Sequence, residues 1–158
     1  MLISQELAKS FVEQIGVELH NALTYHLFGV WFDVRGMTDW AAKMRESAGE
    51  EQGHATRFQQ FLSDCDVKFD MPAVPTVAMP EAMDAAGIMG LVLELEQATT
   101  QRVLAMQTKA CEAYQWPAFQ FLLSFVAEQV QSEANVRNWA VMLETGVSPY
   151  LVEPAVAV

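Results

Sequence analysis

Apolar side chains recur at spacings of three and four through four long stretches of the chain, the period of helices that each bury one face. In the first stretch, about 5–33, the inward stripe reads Leu7, Phe11, Ile15, Glu18, Ala22, Tyr25 and Gly29. In the second, about 39–62, it reads Met44, Ala48, Glu51, Ala55, Phe58 and Leu62. The third, about 81–114, carries Ile88, Val92, Glu96, Thr99, Val103 and Met106, and the fourth, about 117–144, carries Phe119, Leu122, Val126, Gln129, Glu133 and Val136. No strand-like alternation competes with these patterns.

The connections fix the order of packing. Val34 to Asp39 is a short turn containing Gly36, with Thr38 or Asp39 placed to cap the second helix. Trp116-Pro117 breaks the third stretch, with Pro117 suited to the first turn of the fourth, and Thr145-Gly146 reads as a C-terminal cap. Residues 63–80 hold Pro72, Pro75 and Pro80, too many for a helix, and the segment is too long for a tight turn. It predicts a crossover along the side of a bundle, so that the second and third helices run parallel. The whole chain, 1–158, is expected to form one all-α domain, a four-helix bundle with a long connection between its second and third helices. A short tail, 147–158, contains Pro149 and Pro154.

Composition narrows the partners. Twenty acidic residues against nine basic give a net charge of −11, which disfavours nucleic acid and anionic membranes and suits a protein that attracts cations. Charges interrupt every apolar stretch, so no membrane span is expected. The start, Met1-Leu2-Ile3-Ser4, lacks a basic region followed by an apolar run, and Cys65 and Cys111 form neither a metal cluster nor a disulfide framework. A reducing cytoplasm is the expected compartment.

The interruptions of the stripes carry the chemistry. A buried carboxylate is costly unless a cation compensates it, and here Glu18, Glu51 and Glu96 lie on inward faces with His54 and Gln129. Glu51 and His54 are three apart and share a face. In the third helix the period favours Glu96 over Glu94. Glu128 is one step off its stripe, at the cavity edge, and Glu133 is either a further inward acid or half of an arginine pair. Tyr25 lies seven residues beyond Glu18, where its phenol can supply a hydrogen bond or an electron. His20 falls off the Glu18 face and is expected in solvent; His26 borders that face as an interior or interface histidine. Hard oxygen ligands with one imidazole suit iron or manganese, and acids converging from four helices describe a carboxylate-bridged di-metal centre. In that reading Glu51 bridges, Glu18 and His54 serve one ion, Glu96 serves the other, and Gln129 is a neutral ligand or close neighbour. Two Fe(II) ions with open positions can reduce O2 by two electrons. A bundle using these acids only for ion pairs is disfavoured, because nine basic residues must also serve the surface.

The stretches Glu18 to Tyr25, Glu50 to His54, Glu96 to Gln101, Trp116 to Leu122 and Ala127 to Val130 resemble the bacterial non-haem ferritins, and through them the eukaryotic heavy-chain type. The resemblance implies a ferritin-like bundle with a ferroxidase centre: Glu18, Glu51 and His54 for the first iron, Glu51, Glu96 and nearby Gln129 for the second, and Tyr25 beside them. Glu50 and Glu128 match two acids of an additional iron site of some bacterial members. Two further acids of that site fall at Gln131 and Ser132, leaving Glu133 as a substitute. It also implies a hollow cage of 24 subunits that oxidises Fe(II) with O2 or H2O2 and stores ferric mineral. Haem is not expected: bacterioferritin has a second Glu-x-x-His where this chain reads Gln129-x-x-Ser132, and its haem methionine falls at Gln52. Ferritins usually end in a fifth helix at the four-fold axes; the tail here implies one that is short or absent, with altered openings. The alternative is a small di-iron oxidase or peroxidase with fixed metals.

Overall fold

The computed structural model describes residues 2–81, 83–152 and 154. Among them there are four helices and no strand: α1 (Gln5–Asp33), α2 (Thr38–Asp64), α3 (Ala85–Glu112) and α4 (Trp116–Glu144). The boundaries follow local chemistry. Ser4 caps α1 by accepting from the Leu7 backbone N–H. The cap of α2 is Met37, without a side-chain bond, so Thr38 and Asp39 are first-turn residues rather than caps. Helix α3 starts at Ala85 instead of 81, because the Asp84 side chain accepts from the Gly87 N–H and sets the first turn there. It stops at Glu112, short of 114, since Tyr114 adopts a left-handed backbone (φ 53°) that no helix continues through. Pro117 stands in the first turn of α4, and Gly146 (φ 79°) follows its end.

Two apolar clusters reveal the topology. One joins Phe28 and Phe32 of α1, Trp40 and Met44 of α2, Ile88 and Val92 of α3, and Val136 and Trp139 of α4. The other joins Leu7 and Phe11, Phe58 and Leu62, Val103 and Met106, and Leu122 and Phe125. The first cluster thus combines the end of α1, the start of α2, the start of α3 and the end of α4. Helices α2 and α3 are therefore parallel, and the extended segment between them travels the length of the bundle. Helix α1 packs on α2 and α3, and α4 packs on α3. On the remaining side the backbones of α2 and α4 are farther apart and meet through large side chains, such as Phe61 on Phe121 at 4.4 Å.

The second cluster is rich in aromatic rings. Phe58 lies 5.1 Å from Phe11 and 4.6 Å from Phe125, and Phe61 stacks on Phe121 at 4.4 Å. Such offset and edge contacts constrain the rotation of α1, α2 and α4 and hence the direction in which their polar residues of the neighbouring layer point. At the opposite end the described tail is not helical and folds back on the α1–α2 turn. Trp40 donates its indole N–H to the carbonyls of Pro149 and Val152, both at 3.1 Å, and Tyr150 donates its hydroxyl to the Arg35 carbonyl at 2.8 Å. The remaining tail positions, 153 and 155–158, lie outside the described residues.

Candidate metal centre

Between the two apolar clusters each helix contributes polar side chains to one layer. Glu18, Glu51, Glu96 and Gln129 are 0, 4, 2 and 3% exposed, and Asn21 and Thr99 are buried with them. Three carboxyls in an apolar bundle are tolerated only with protons, donors or cations around them.

Glu18, Glu51 and His54 form the tightest group; one ligand atom from each lies within 4.8 Å of the others. The Nδ1 atom of His54 is 3.7 Å from Glu18 Oε2 and 3.9 Å from Glu51 Oε2. These distances are too long for hydrogen bonds and short enough for one ion to bridge at about 2.1 Å from each atom. Glu18 Oε2 is buried and has no hydrogen-bond partner, while its Oε1 accepts from Gln14 Nε2 at 2.8 Å. An unpartnered carboxylate oxygen facing an imidazole nitrogen and a second carboxylate is the signature of a cation site.

The protonation pattern agrees. Burial acts to raise the Glu18 carboxyl, but His54, Glu51 and Gln14 outweigh it and hold Glu18 below its ordinary range. Burial, then the neighbouring Glu18 and Glu96, push Glu51 well above it, although Asn21 pulls the other way. A cation between the two acids would remove the need for the Glu51 proton. Burial acts to lower His54, yet Glu18 and Glu128 leave it raised overall.

Glu96 faces this group from α3. Tyr25 donates its hydroxyl to Glu96 Oε1, and Gln129 Nε2 donates to Glu96 Oε2 at 3.2 Å and to Thr100 Oγ1 at 3.2 Å. Burial raises Glu96 despite the donors Tyr25, Ser132 and Gln129. Burial, then Glu96 and Glu51, keep the Tyr25 phenol protonated well past its ordinary value. Asn21 Nδ2 ties the two sides together, donating to Thr99 Oγ1 at 3.0 Å and to Glu51 Oε2 at 3.4 Å.

The open side between α2 and α4 gives access through a cleft of about 430 Å³, lined by Glu46, Glu50, Glu51, His54, Glu128 and Ser132 among others. Glu128 does lie at the cavity edge, but it is engaged: both its oxygens accept from Arg57 Nη1 at 2.8 Å, and His54 Nε2 lies 3.0 Å from its Oε2. The Arg57 guanidinium also covers the Phe125 ring at 4.0 Å. Glu50 is exposed on the cleft wall. Glu133 is not brought to the triad. It pairs with Arg137 of its own helix at 3.5 Å, rather than with an arginine of a neighbour. Glu94 is exposed, as the period indicated; His26 is exposed rather than interior, and His20 is half-buried rather than solvated.

Reading the sequence missed Gln14, Asn21 and Arg57. The signal for the first two was present: Gln14, Glu18, Asn21 and Tyr25 are spaced four, three and four apart, a continuous polar line on an otherwise apolar face. Arg57 sits three residues beyond His54 and carried no such mark.

The sequence and the fold have known counterparts. A ferritin-like domain is matched over residues 8–145. The chain belongs to the ferritin-like family. It is 28% identical over 135 residues to a bacterial non-heme ferritin of Escherichia coli O6:H1, covering 84% of this chain and 79% of that one. It is 29% identical over 122 residues to ferritin BfrB of Mycobacterium tuberculosis, covering 77% and 67%. Among solved structures, an iron-soaked PmFTN variant superposes with a TM-score of 0.86 at 26% identity, covering 90% of each chain. An open pore ferritin from Archaeoglobus fulgidus superposes with a TM-score of 0.88 at 25% identity, covering 92% of this chain and 90% of that one. Ferritin-family membership therefore rests on fold and sequence together, and the polar layer occupies the middle of the matched region.

Proposed function

We propose that the protein is an iron-storage ferritin whose substrate, Fe(II), is oxidised at a di-iron ferroxidase centre inside each subunit. The observation that carries this reading is the buried Glu18–Glu51–His54 group with an unpartnered oxygen. Family membership and the likeness to an iron-soaked relative support iron over other cations.

Glu18 and His54 take the first Fe(II), Glu51 bridges, and Glu96 takes the second with Gln129 beside it. Two Fe(II) ions give up one electron each. O2 takes both electrons and two protons to reach hydrogen peroxide, or peroxide is itself reduced to water by the next pair. Glu51 surrenders its proton when iron enters. Tyr25 steadies Glu96 through its hydroxyl and stands close enough to supply an electron. Glu128, held by Arg57, orients His54: its carboxylate accepts from Nε2, which leaves Nδ1 free for the ion. Glu50 and Glu128 flank the entry cleft, where a third ion is held at most weakly because Arg57 already neutralises Glu128 and Glu133 is paired with Arg137.

Oxidised iron moves into the cavity of a 24-subunit cage in the cytoplasm. The described tail, to Val152, turns back over the α1–α2 turn and is not helical. One solved relative, from Archaeoglobus fulgidus, is itself an open pore ferritin. No helix among the described residues is long and apolar enough to cross a membrane.

The test is aerobic loading of the apoprotein with excess Fe(II), then size-exclusion chromatography with iron and mass detection. Iron far above two per subunit on a cage-sized particle is the expected result. Two per subunit on a small oligomer would overturn storage and leave a fixed-metal di-iron oxidase.

A further inference from the structure

We infer that Arg102 and Gln14 form a positioning relay that makes Glu18 a one-oxygen ligand for the first iron; this deepens, and rests on, the ferroxidase reading. Gln14 lies one turn before Glu18 on α1 and is completely buried. Its amide is bonded at both ends. The Nε2 atom donates to Glu18 Oε1 at 2.8 Å, and Oε1 accepts from Arg102 Nε of α3 at 2.9 Å.

The two partners agree on which way the amide points. A guanidinium has donors and no acceptor, so only the amide oxygen can face it, and the Glu18 carboxylate, which only accepts, takes the NH₂ group. Arg102 anchors the far end of the amide, and without it the Gln14 side chain loses that fixed point. With it, Oε1 of Glu18 is occupied and Oε2 alone is left without a partner, pointing at His54 Nδ1.

Two consequences follow for the first iron. The relay holds the Glu18 carboxylate ready before metal arrives, so no rotamer freedom is lost on binding. It also disfavours a grip on the ion through both oxygens, since Oε1 is already engaged by Gln14, which leaves a coordination position for oxidant or water. Arg102 itself is exposed, in a groove between α1 and α3 beside Glu13 and Lys109. The relay therefore reaches the site from the side of the bundle opposite the α2–α4 cleft, and changing Arg102 leaves the entrance untouched.

The experiment compares the parent with Arg102→Met, Arg102→Lys and Gln14→Met. Fe(II) binding is followed anaerobically by calorimetry, and Co(II) binding by visible absorption, whose intensity reports coordination number. Arg102→Met and Gln14→Met are expected to weaken the first ion by about 10- to 100-fold, leave the second within about twofold, and change the Co(II) spectrum of the first. Arg102→Lys, which restores a donor to the amide oxygen, is expected to recover most of the affinity. Parent-like first-ion affinity and Co(II) spectrum in both methionine variants would overturn the relay. So would equal weakening of both ions together with a lowered unfolding temperature, the mark of a merely structural role. A parent that binds no pair of Fe(II) ions would instead overturn the ferroxidase reading beneath it.

Discussion

Replacing Glu51 by glutamine should stabilise the metal-free protein and abolish its chemistry, and the two effects have one cause. Glu51 is buried, and burial and the neighbouring Glu18 hold its carboxyl well above the ordinary range. The folded apoprotein therefore binds a proton that the unfolded chain releases near pH 4.3. A group with a raised folded pKa of this kind costs stability as pH rises from about 4.3 up to that folded value. The cost at pH 7 cannot exceed that of protonating an ordinary carboxyl there, about 3–4 kcal/mol, since each pH unit contributes about 1.4 kcal/mol. Glutamine keeps the volume and offers an oxygen to the Asn21 amide while removing the charge. Urea unfolding of the chelator-treated apoprotein at pH 5.5 and 7.5 measures the effect. The parent should lose stability between the two pH values. Glu51→Gln should lose less, by no more than about 2.7 kcal/mol over the two pH units, and should oxidise Fe(II) at no more than about a hundredth of the parent rate. An identical pH-dependent loss in both proteins would refute the buried-proton argument, whatever the activity.

Three further outcomes are expected. Tyr25→Phe removes the donor to Glu96 but no proposed ligand, so anaerobic Fe(II) binding should stay within about threefold while the oxidation transient changes; lost binding would refute the assignment. Phe58→Ala empties the centre of the aromatic cluster and should cost about 3–5 kcal/mol in denaturant unfolding of the apoprotein, with a smaller loss refuting its central place. Metal binding should release protons because Glu51 and Glu96 are raised in the apoprotein and must ionise. Calorimetry of Zn(II) binding in buffers of different ionisation enthalpy should detect that release, and affinity should fall as pH is lowered through the raised values; pH-independent affinity would contradict the protonation pattern.

The helices and the buried acids between them were legible because both depend on a local rule. Glu18, Glu51 and Glu96 sit at positions where the 3.6-residue period demands an apolar side chain, and the exception is what marked them. The same rule separated Glu96 from Glu94, which is exposed. What was not legible depends on reach across the bundle. Glu128 and Glu133 both lie on or near the stripe of α4, yet one is taken by Arg57 of α2 and the other by Arg137 of α4. Long flexible arginines choose partners by tertiary distance, and no spacing along one helix encodes that choice. Gln14 lies between the two cases: its place on the Glu18 face was readable, but the partner of its amide oxygen is Arg102, 88 residues away in sequence.

The position of the site follows from the same division of labour. Charged groups cannot organise themselves in an apolar interior, because each unpaired one costs more than a typical contact returns. Here two apolar clusters, one at each end, lock four backbones in place, and the polar layer sits between them where rotation and translation are already fixed. The aromatic cluster adjoins the imidazole directly, with Phe125 5.4 Å from the His54 ring and Phe58 packed on Phe125. Hydrophobic packing thus sets the geometry of the buried Glu18–Glu51–His54 group, where a bound cation would take over the charge balance. A core substitution such as Phe58→Ala should for that reason disturb metal affinity through His54 as well as stability.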